Sequence, residues 1–379
     1  MSGHFVDVAS GRAYLAVPEK GSGPGLLVLP DVSDDDRELR ELSDLYASEG
    51  YVVLCPKGSA LSEGIPDIGT AVAALRARSE CTGKVGALGF GLGGKLACLA
   101  AAEADMDCAI SYCGFGIDFE LNFVSRIGCP LAVHFAEKDP QIPPEAVARV
   151  REAFSSRPDV AIYVYPGAAP GFDRPTKSNY DKQAAGLAHS RSIALLRRSM
   201  GPHYDLEALW EMHTTCEFAT RDVAATMRTM VPEPYVNHVP VMTGGVGQRD
   251  LARFYAHHFI PKLPADTKLI PISRTVGADR IVDEMLFCFT HDTEIDFMLP
   301  GVPPTGKYVE VPTVAIVDFR GDKLCHEHIY WDQASVLVQI GLLDPKGLPV
   351  AGIDSAKKLL DETHPSNTLM KRWAESEGS

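Results

Sequence analysis

The chain has 379 residues, 45% of them hydrophobic and 23% charged, with a formal net charge of −14. That length exceeds one ordinary core and predicts two globular domains, not a disordered or fibrous chain. An acidic chain with no compensating Lys/Arg run gains nothing from a phosphate backbone, so nucleic acid is excluded as an expected partner.

Nine cysteines, at positions 55, 81, 98, 108, 113, 129, 216, 288 and 325, lack paired or zinc-type spacing and read as buried thiols in a reducing compartment. The N-terminal Met-Ser-Gly-His-Phe-Val-Asp has no basic segment followed by an apolar one, so no signal peptide is expected. No apolar stretch approaches the ~20 residues of a membrane span. The expectation is a cytoplasmic protein with no membrane partner.

From residue 25 one pattern repeats: a short apolar run, then a helix-length amphipathic segment. The runs are Gly25–Asp31, Tyr51–Pro56, Lys84–Phe90, Cys108–Gly114, Leu131–Asp139 and Val160–Gly167. Continuous apolar runs are strands buried on both faces, the mark of a doubly wound parallel sheet between helices. Helices are predicted over Asp36–Ser48, Asp67–Arg78 and Asp181–Arg198. Met200-Gly201-Pro202-His203 then breaks the pattern, giving a first domain over 1–200. Residues from about 205 to 230 read as one long helix, with Leu209, His213, Cys216 and Thr220 along it. Alternating strands follow over Asp283–His291, Tyr308–Phe319 and Lys323–Asp332. Helices followed by antiparallel strands predict an α+β domain over 205–345, and 346–379 is an extension whose tail should fray beyond about 365.

Strand Lys84–Phe90 runs into Gly89-Phe90-Gly91-Leu92-Gly93-Gly94 and the helix Lys95–Ala102. Strand, glycine turn and buried helix are the setting of a nucleophile elbow. A dinucleotide loop is the alternative, but this strand is the third of the series and no acidic ribose partner follows a second strand. Gly89 to Ala97 resembles the G-[YF]-C-x-G-G-x-x-A elbow of the dienelactone hydrolase (carboxymethylenebutenolidase) family. His134-Phe135-Ala136-Glu137-Lys138-Asp139 is similar to its H-x-G-x-x-D acid loop. Tyr165-Pro166-Gly167-Ala168-Ala169-Pro170-Gly171-Phe172 is similar to its Y-x-G-A-x-H-x-F histidine loop. The resemblance covers roughly residues 5–200 and implies an α/β-hydrolase fold.

The same resemblance implies a degenerate triad. Gly91 stands at the cysteine position and Pro170 at the histidine position; only Asp139 matches. Glycine carries no nucleophile and proline cannot shuttle a proton. Asp139 then reads as a polar loop residue capping the next helix. The other histidines here are His4, His134 in a buried strand and His189 on the last helix. Cys113 closes its strand toward the same cleft, but without a base its thiol stays protonated. Arg174 reads either as a carboxylate binder or as a surface arginine.

In the second domain, Tyr235 to Gly245, Leu251 to Tyr255 and His326 to Gly341 resemble a SnoaL-type polyketide-cyclase-like domain of the nuclear-transport-factor-2-like cone folds. That resemblance implies a cone holding a small organic molecule without cofactor, with Asp332 on the last strand as acid/base. Period-two alternation puts His326, His328, Tyr330 and Asp332 on one face, and Cys325, Ile329 and Trp331 on the other, which Glu327 breaks. The His326/His328 pair is open to three readings: a metal site, an exposed polar face, or an acid–base pair with Asp332 in a cavity. Glu284, opposite the apolar Met285, Phe287 and Phe289, is expected to look into that cavity, with His238 and Tyr235 at its rim.

The expected protein is an enzyme of hydrolase or cyclase ancestry acting on a small organic substrate. It uses neither cofactor nor metal, and it forms a homodimer by analogy with the cone folds. Catalysis is placed on Asp332, His328 and His326, and substrate binding on Tyr330, Glu284, His238 and Tyr235. The first domain serves as scaffold. Two alternatives stay open: a hydrolase working in the first cleft by a non-standard mechanism, and a non-catalytic ligand-binding protein.

Overall fold

A computed structural model describes residues 3–8, 11–57 and 65–377. The chain divides into two compact units, residues 1–204 and 205–379. No helix among the described residues is long and apolar enough to cross a membrane.

The first unit is built on β1 (His4–Val8), β2 (Gly11–Ala16), β3 (Gly23–Leu29), helix α1 (Asp36–Ser48), β4 (Val52–Pro56) and α2 (Ile65–Arg76). It continues through β5 (Cys81–Phe90), α3 (Leu92–Glu103), β6 (Cys108–Tyr112), β7 (Leu131–Ala136), α4 (Pro144–Ala153), β8 (Val160–Tyr165) and α5 (Lys182–Met200). The strands form one sheet in the order β1-β2-β4-β3-β5-β6-β7-β8. Every residue of β3, β4, β6 and β7 is buried, as the unbroken apolar runs require. A Cβ added at Gly25 would meet Leu75 of α2, and one at Gly86 would meet Met200 of α5. Gly25 pairs with Val85, so Gly86 points to the other face and the two helices lie on opposite sides.

Two features depart from the sequence reading. The hairpin β1–β2 joins β4 antiparallel, so the elbow strand is the fifth in chain order and not the third. Asp139 does not cap the following helix, which begins at Pro144; its carboxylate instead accepts the backbone N–H of Gln141 and shapes its own loop.

The second unit comprises α6 (Leu206–Thr214), α7 (Val223–Arg228), β9 (Met230–His238), β10 (Thr243–Val246), α8 (Gly247–Phe254) and β11 (Lys268–Val276). β12 (Arg280–Thr290), β13 (Tyr308–Arg320), β14 (Lys323–Trp331), α9 (Gln333–Gln339) and α10 (Asp354–Leu360) complete it. The expected single helix over 205–230 is broken. A π-helical turn at Thr215–Ala219 widens it, Arg221 adopts a left-handed backbone (φ 53°), and Asp222 caps α7 through the Ala225 N–H. The strands run β10-β9-β14-β13-β12-β11, all antiparallel except the parallel pair β14–β9. The second sheet is therefore mixed, where a purely antiparallel one was expected. Beyond 365 the described residues are exposed turns with one short 3-10 segment at Ala374–Ser376.

His134 of β7 has no exposed surface. It lies between the Tyr165 hydroxyl, 2.7 Å from Nδ1, and the Ser192 hydroxyl, 3.2 Å from Nε2, with Tyr112 stacked at 4.5 Å. Burial, with Arg191 nearby, pushes the imidazole down to about 3. In the unfolded chain it takes a proton near pH 6.5, so its contribution is complete above that pH and is lost as pH falls toward 3. The unfolding free energy from urea titrations should drop more steeply between pH 6.5 and 4 for the native chain than for His134→Gln, with a difference in slope of about 1.4 kcal/mol per pH unit. Parallel profiles would show that His134 titrates alike in both states.

Candidate functional site

In the first unit the turn from β5 to α3 packs so closely that side chains are excluded. A Cβ at Gly89 would come 1.9 Å from the Gly93 carbonyl oxygen, and one at Gly93 2.1 Å from the Leu29 carbonyl oxygen. Gly91 has the conformation of an elbow residue (φ 54°, ψ −118°) and precedes the first residue of α3. There the obstacle is a side chain: Asp31 Oδ2 lies 1.7 Å from where a Cβ would stand. Asp31 follows β3, and its Oδ1 accepts both the N–H and the hydroxyl of Ser33 at 3.1 Å. Its own N–H is held by Asp34.

A cleft of about 410 Å³ opens over this turn, lined by Asp31, Gly91, Cys113, Asp139, Pro170 and Arg174 among others. That volume suits a small organic molecule. The structure thus brings Gly91, Asp139 and Pro170 to one cleft. Arg174 is not a surface arginine: it is 8% exposed, ion-paired with Asp34, 3.6 Å from an Asp173 carboxylate oxygen, and over the Phe90 ring at 5.0 Å. Burial raises the Asp139 carboxyl above its ordinary value, against the N–H groups of Gln141 and Ile142. Asp173, whose Oδ2 has no hydrogen-bond partner, is raised by burial as well. Burial, with Asp173 beside it, also pushes the Cys113 thiol up, so this cysteine lines the cleft as a protonated thiol.

The second unit encloses a cavity of about 60 Å³, room for a few waters, with walls of Trp210, Phe218, Tyr255, Phe259, Phe287 and Phe297. Register decides which residues reach it. Thr313 and Ala315 of β13 face Trp331 and Ile329 of β14, and Glu327 pairs with Val317 and Val236, so the inner face of β14 carries Glu327, Ile329 and Trp331.

The expectation for this strand is therefore reversed. His326, His328 and Tyr330 lie on the outer face, where Tyr235 makes edge contacts with both histidines at 5.6 and 5.4 Å. Asp332 lies beyond the strand and caps α9, accepting the Ser335 N–H at 3.2 Å and its hydroxyl at 2.5 Å. Glu284 is also on the outer face, accepting the Ser273 hydroxyl, while Met285 and Phe287 look into the cavity. His238 alone of that group lines the cavity, ringed by Phe254, Phe259, Phe297 and Trp331, and burial lowers it to about 4.

The polar floor of the cavity is one the sequence reading missed. His213 of α6, Glu217 of the π-helical turn and Glu327 of β14 are all buried, with ligating atoms within 4.8 Å of one another. His213 Nε2 is 3.1 Å from Glu217 Oε1 and 3.3 Å from Glu327 Oε1. Burial by itself would lower this imidazole; Glu217 and then Glu327 outweigh it and raise it to about 10. The buried Tyr255 hydroxyl stands beside Glu217. Two signals were present in the sequence: the i,i+4 spacing of His213 and Glu217, and Glu327 as the one acid interrupting an apolar strand face.

The geometry at Gly91 gives a direct test. Gly91→Ala should destabilise the chain by about 1–3 kcal/mol, since it adds strain at a positive φ and displaces Asp31. Asp31→Gly in the same chain should recover part of that loss, read as coupling in a double-mutant cycle of urea unfolding. Additive effects would mean that Asp31 swings aside without cost.

A profile of the dienelactone hydrolase family matches residues 57–200. An Azospirillum brasilense protein named "Putative carboxymethylenebutenolidase" is 30% identical over 224 residues, 52% of this chain and 96% of that protein. The carboxymethylenebutenolidase of Pseudomonas putida is 26% identical over 211 residues, 48% of this chain and 89% of that protein. Among solved structures, a dienelactone hydrolase-like promiscuous phosphotriesterase from metagenomic libraries aligns with a TM-score of 0.45 at 22% identity, covering 53% of this chain and 99% of that one. On the identity to nearly the whole of the Azospirillum protein, the chain belongs to the dienelactone hydrolase family, and its first unit is of hydrolase type.

Proposed function

We propose that the first unit hydrolyses a small neutral ester or lactone by direct attack of water, with Asp31 as the base. The observation that carries this reading is the position of Asp31 Oδ2, 1.7 Å from where a side chain at 91 would begin. In the family pattern the nucleophile grows from that point, so here a carboxylate from β3 fills the nucleophile's place. Gly91 and Pro170 leave no thiol–imidazole pair, and the Cys113 thiol is held protonated by burial. Asp31 takes a proton from water as the water oxygen bonds to the carbonyl carbon. The N–H of Leu92, at the start of α3 and without an intrahelical acceptor, stabilises the oxyanion together with the helix dipole. The proton passes to the leaving alkoxide as the carbon–oxygen bond breaks.

Charge argues for a neutral substrate. The cleft is lined by Asp31, Asp139 and Asp173 against Arg174, whose guanidinium already bonds Asp34. Hydrolysis of neutral aryl esters and simple lactones should survive a thiol-alkylating reagent and fall about 10²–10⁴-fold in kcat for the isosteric Asp31→Asn. Unchanged turnover in Asp31→Asn would remove Asp31 from the mechanism. Activity destroyed by alkylation would transfer it to Cys113.

A second reading concerns the other unit. The aromatic walls and buried polar floor of its cavity support a second small-molecule site of the SnoaL type, built on His213, Glu217, Glu327, Tyr255 and His238. A small neutral molecule of a few heavy atoms, such as acetamide, bound there should raise the melting temperature of the full chain but not that of Phe218→Trp, which fills the cavity. Equal shifts in both chains would place the ligand elsewhere.

A further inference from the structure

We propose that His213, Glu217 and Glu327 bind a divalent first-row transition ion on the floor of the second unit's cavity. Three ligand atoms about 2.1 Å from a common ion and about 95–105° apart lie about 3.1–3.3 Å from one another. His213 Nε2 stands 3.1 Å from Glu217 Oε1 and 3.3 Å from Glu327 Oε1. These are two edges of a coordination polyhedron, and the third, between the two carboxylates, closes within 4.8 Å. They are also ion-pair distances, yet neither His213 Nε2 nor Glu327 Oε1, both fully buried, completes an aligned hydrogen bond.

The surroundings fix the imidazole for this task. Nδ1 lies 2.6 Å from the Thr229 hydroxyl, which donates its own hydrogen to the Thr226 carbonyl at 2.6 Å. Thr229 can therefore only accept, so Nδ1 carries the hydrogen and Nε2 is directed at the two carboxylates. An outer partner on the second ring nitrogen is the usual companion of a metal-ligating histidine. Charge agrees. An ion entering the site displaces the imidazole proton, and the neutral imidazole with two carboxylates then sums to −2, which a divalent ion cancels. One nitrogen and two carboxylate oxygens suit manganese, iron, cobalt or zinc better than an all-oxygen ion such as calcium. The π-helical turn at Thr215–Ala219 brings Glu217 into this group, and such turns occur frequently at functional sites. Glu217 and Glu327 also line the aromatic cavity.

The assignment rests on the cavity being a binding site, as the second reading above holds. Its test contains no organic ligand, so failure of the metal leaves that reading standing. The full chain, stripped with a chelator and dialysed, is titrated separately with Mn²⁺, Co²⁺ and Zn²⁺. One equivalent should bind, with a saturable rise in melting temperature and, for Co²⁺, a visible absorption band. Glu217→Gln and Glu327→Gln, checked for folding by circular dichroism, should each weaken affinity about 100-fold or more. Thr229→Val, which removes the outer acceptor, should weaken it about 10–100-fold. The double variant His326→Ala/His328→Ala should bind like the native chain. Absence of stoichiometric binding by the native chain for all three ions overturns the proposal. So does loss of binding in the His326/His328 variant with retention in Glu217→Gln.

Discussion

The close approach of the β5–α3 turn to the ends of β3 and β6 is the constraint on which the first unit's cleft depends. Side chains at Gly93 and Gly94 would strike the backbone carbonyls of Leu29 and Tyr112, and one at Gly89 would strike the turn itself. Those three glycines are dictated by the main chain, which cannot withdraw without opening the sheet. Gly91 differs in kind, because what fills its space is the Asp31 carboxylate. A glycine imposed by backbone is a property of the fold; one matched to a neighbouring side chain is a property of the site. The cleft over this turn therefore keeps its shape while the carboxylate that fills the space at Gly91 comes from the loop after β3.

The second unit is governed by a different rule, the two faces of a strand. Register with β13 and β9 turns Glu327 inward and His326 and His328 outward, and a slip of one residue would invert all three. The inner choice buries a carboxylate, which is tolerable only because His213 approaches it from α6, and the same imidazole also meets Glu217 of the π-helical turn. Helix and strand are thus coupled through charge as well as packing. Trp210 extends the same layer, stacking on His213 and donating its N–H to Asp283, which Arg274 holds with two bonds. The outer face is satisfied differently, by Leu286 and Cys288 packing on Ala356 of α10 and by aromatic contacts around Tyr235.

Both units place carboxylates where water is scarce, with opposite electrostatic solutions. In the first, Arg174 and Lys177 hold Asp34, while Asp173 keeps one oxygen without a hydrogen bond. In the second, a single imidazole serves two glutamates. Isolated buried charge is unfavourable, so each arrangement sets the charge balance that its cavity presents.

The sequence by itself determined the parallel sheet, because strands buried on both faces must be apolar throughout, and it determined the elbow, because a tight turn leaves glycines at fixed spacing. It located Gly91, Asp139 and Pro170 in one cleft through motif order alone. It could not reveal Asp31, whose proximity to Gly91 arises only when β3 pairs with β5. Nor could it choose the face of β14. Alternation shows that two faces exist, but which one is inner depends on strands and helices far away in the chain. A polar face with two histidines and a tyrosine outweighed a lone glutamate on composition, yet ring contacts from Tyr235 to both histidines and solvent at Tyr330 accommodate the former at the surface. The glutamate is inside because a histidine from α6 meets it there, and that meeting exists only in three dimensions.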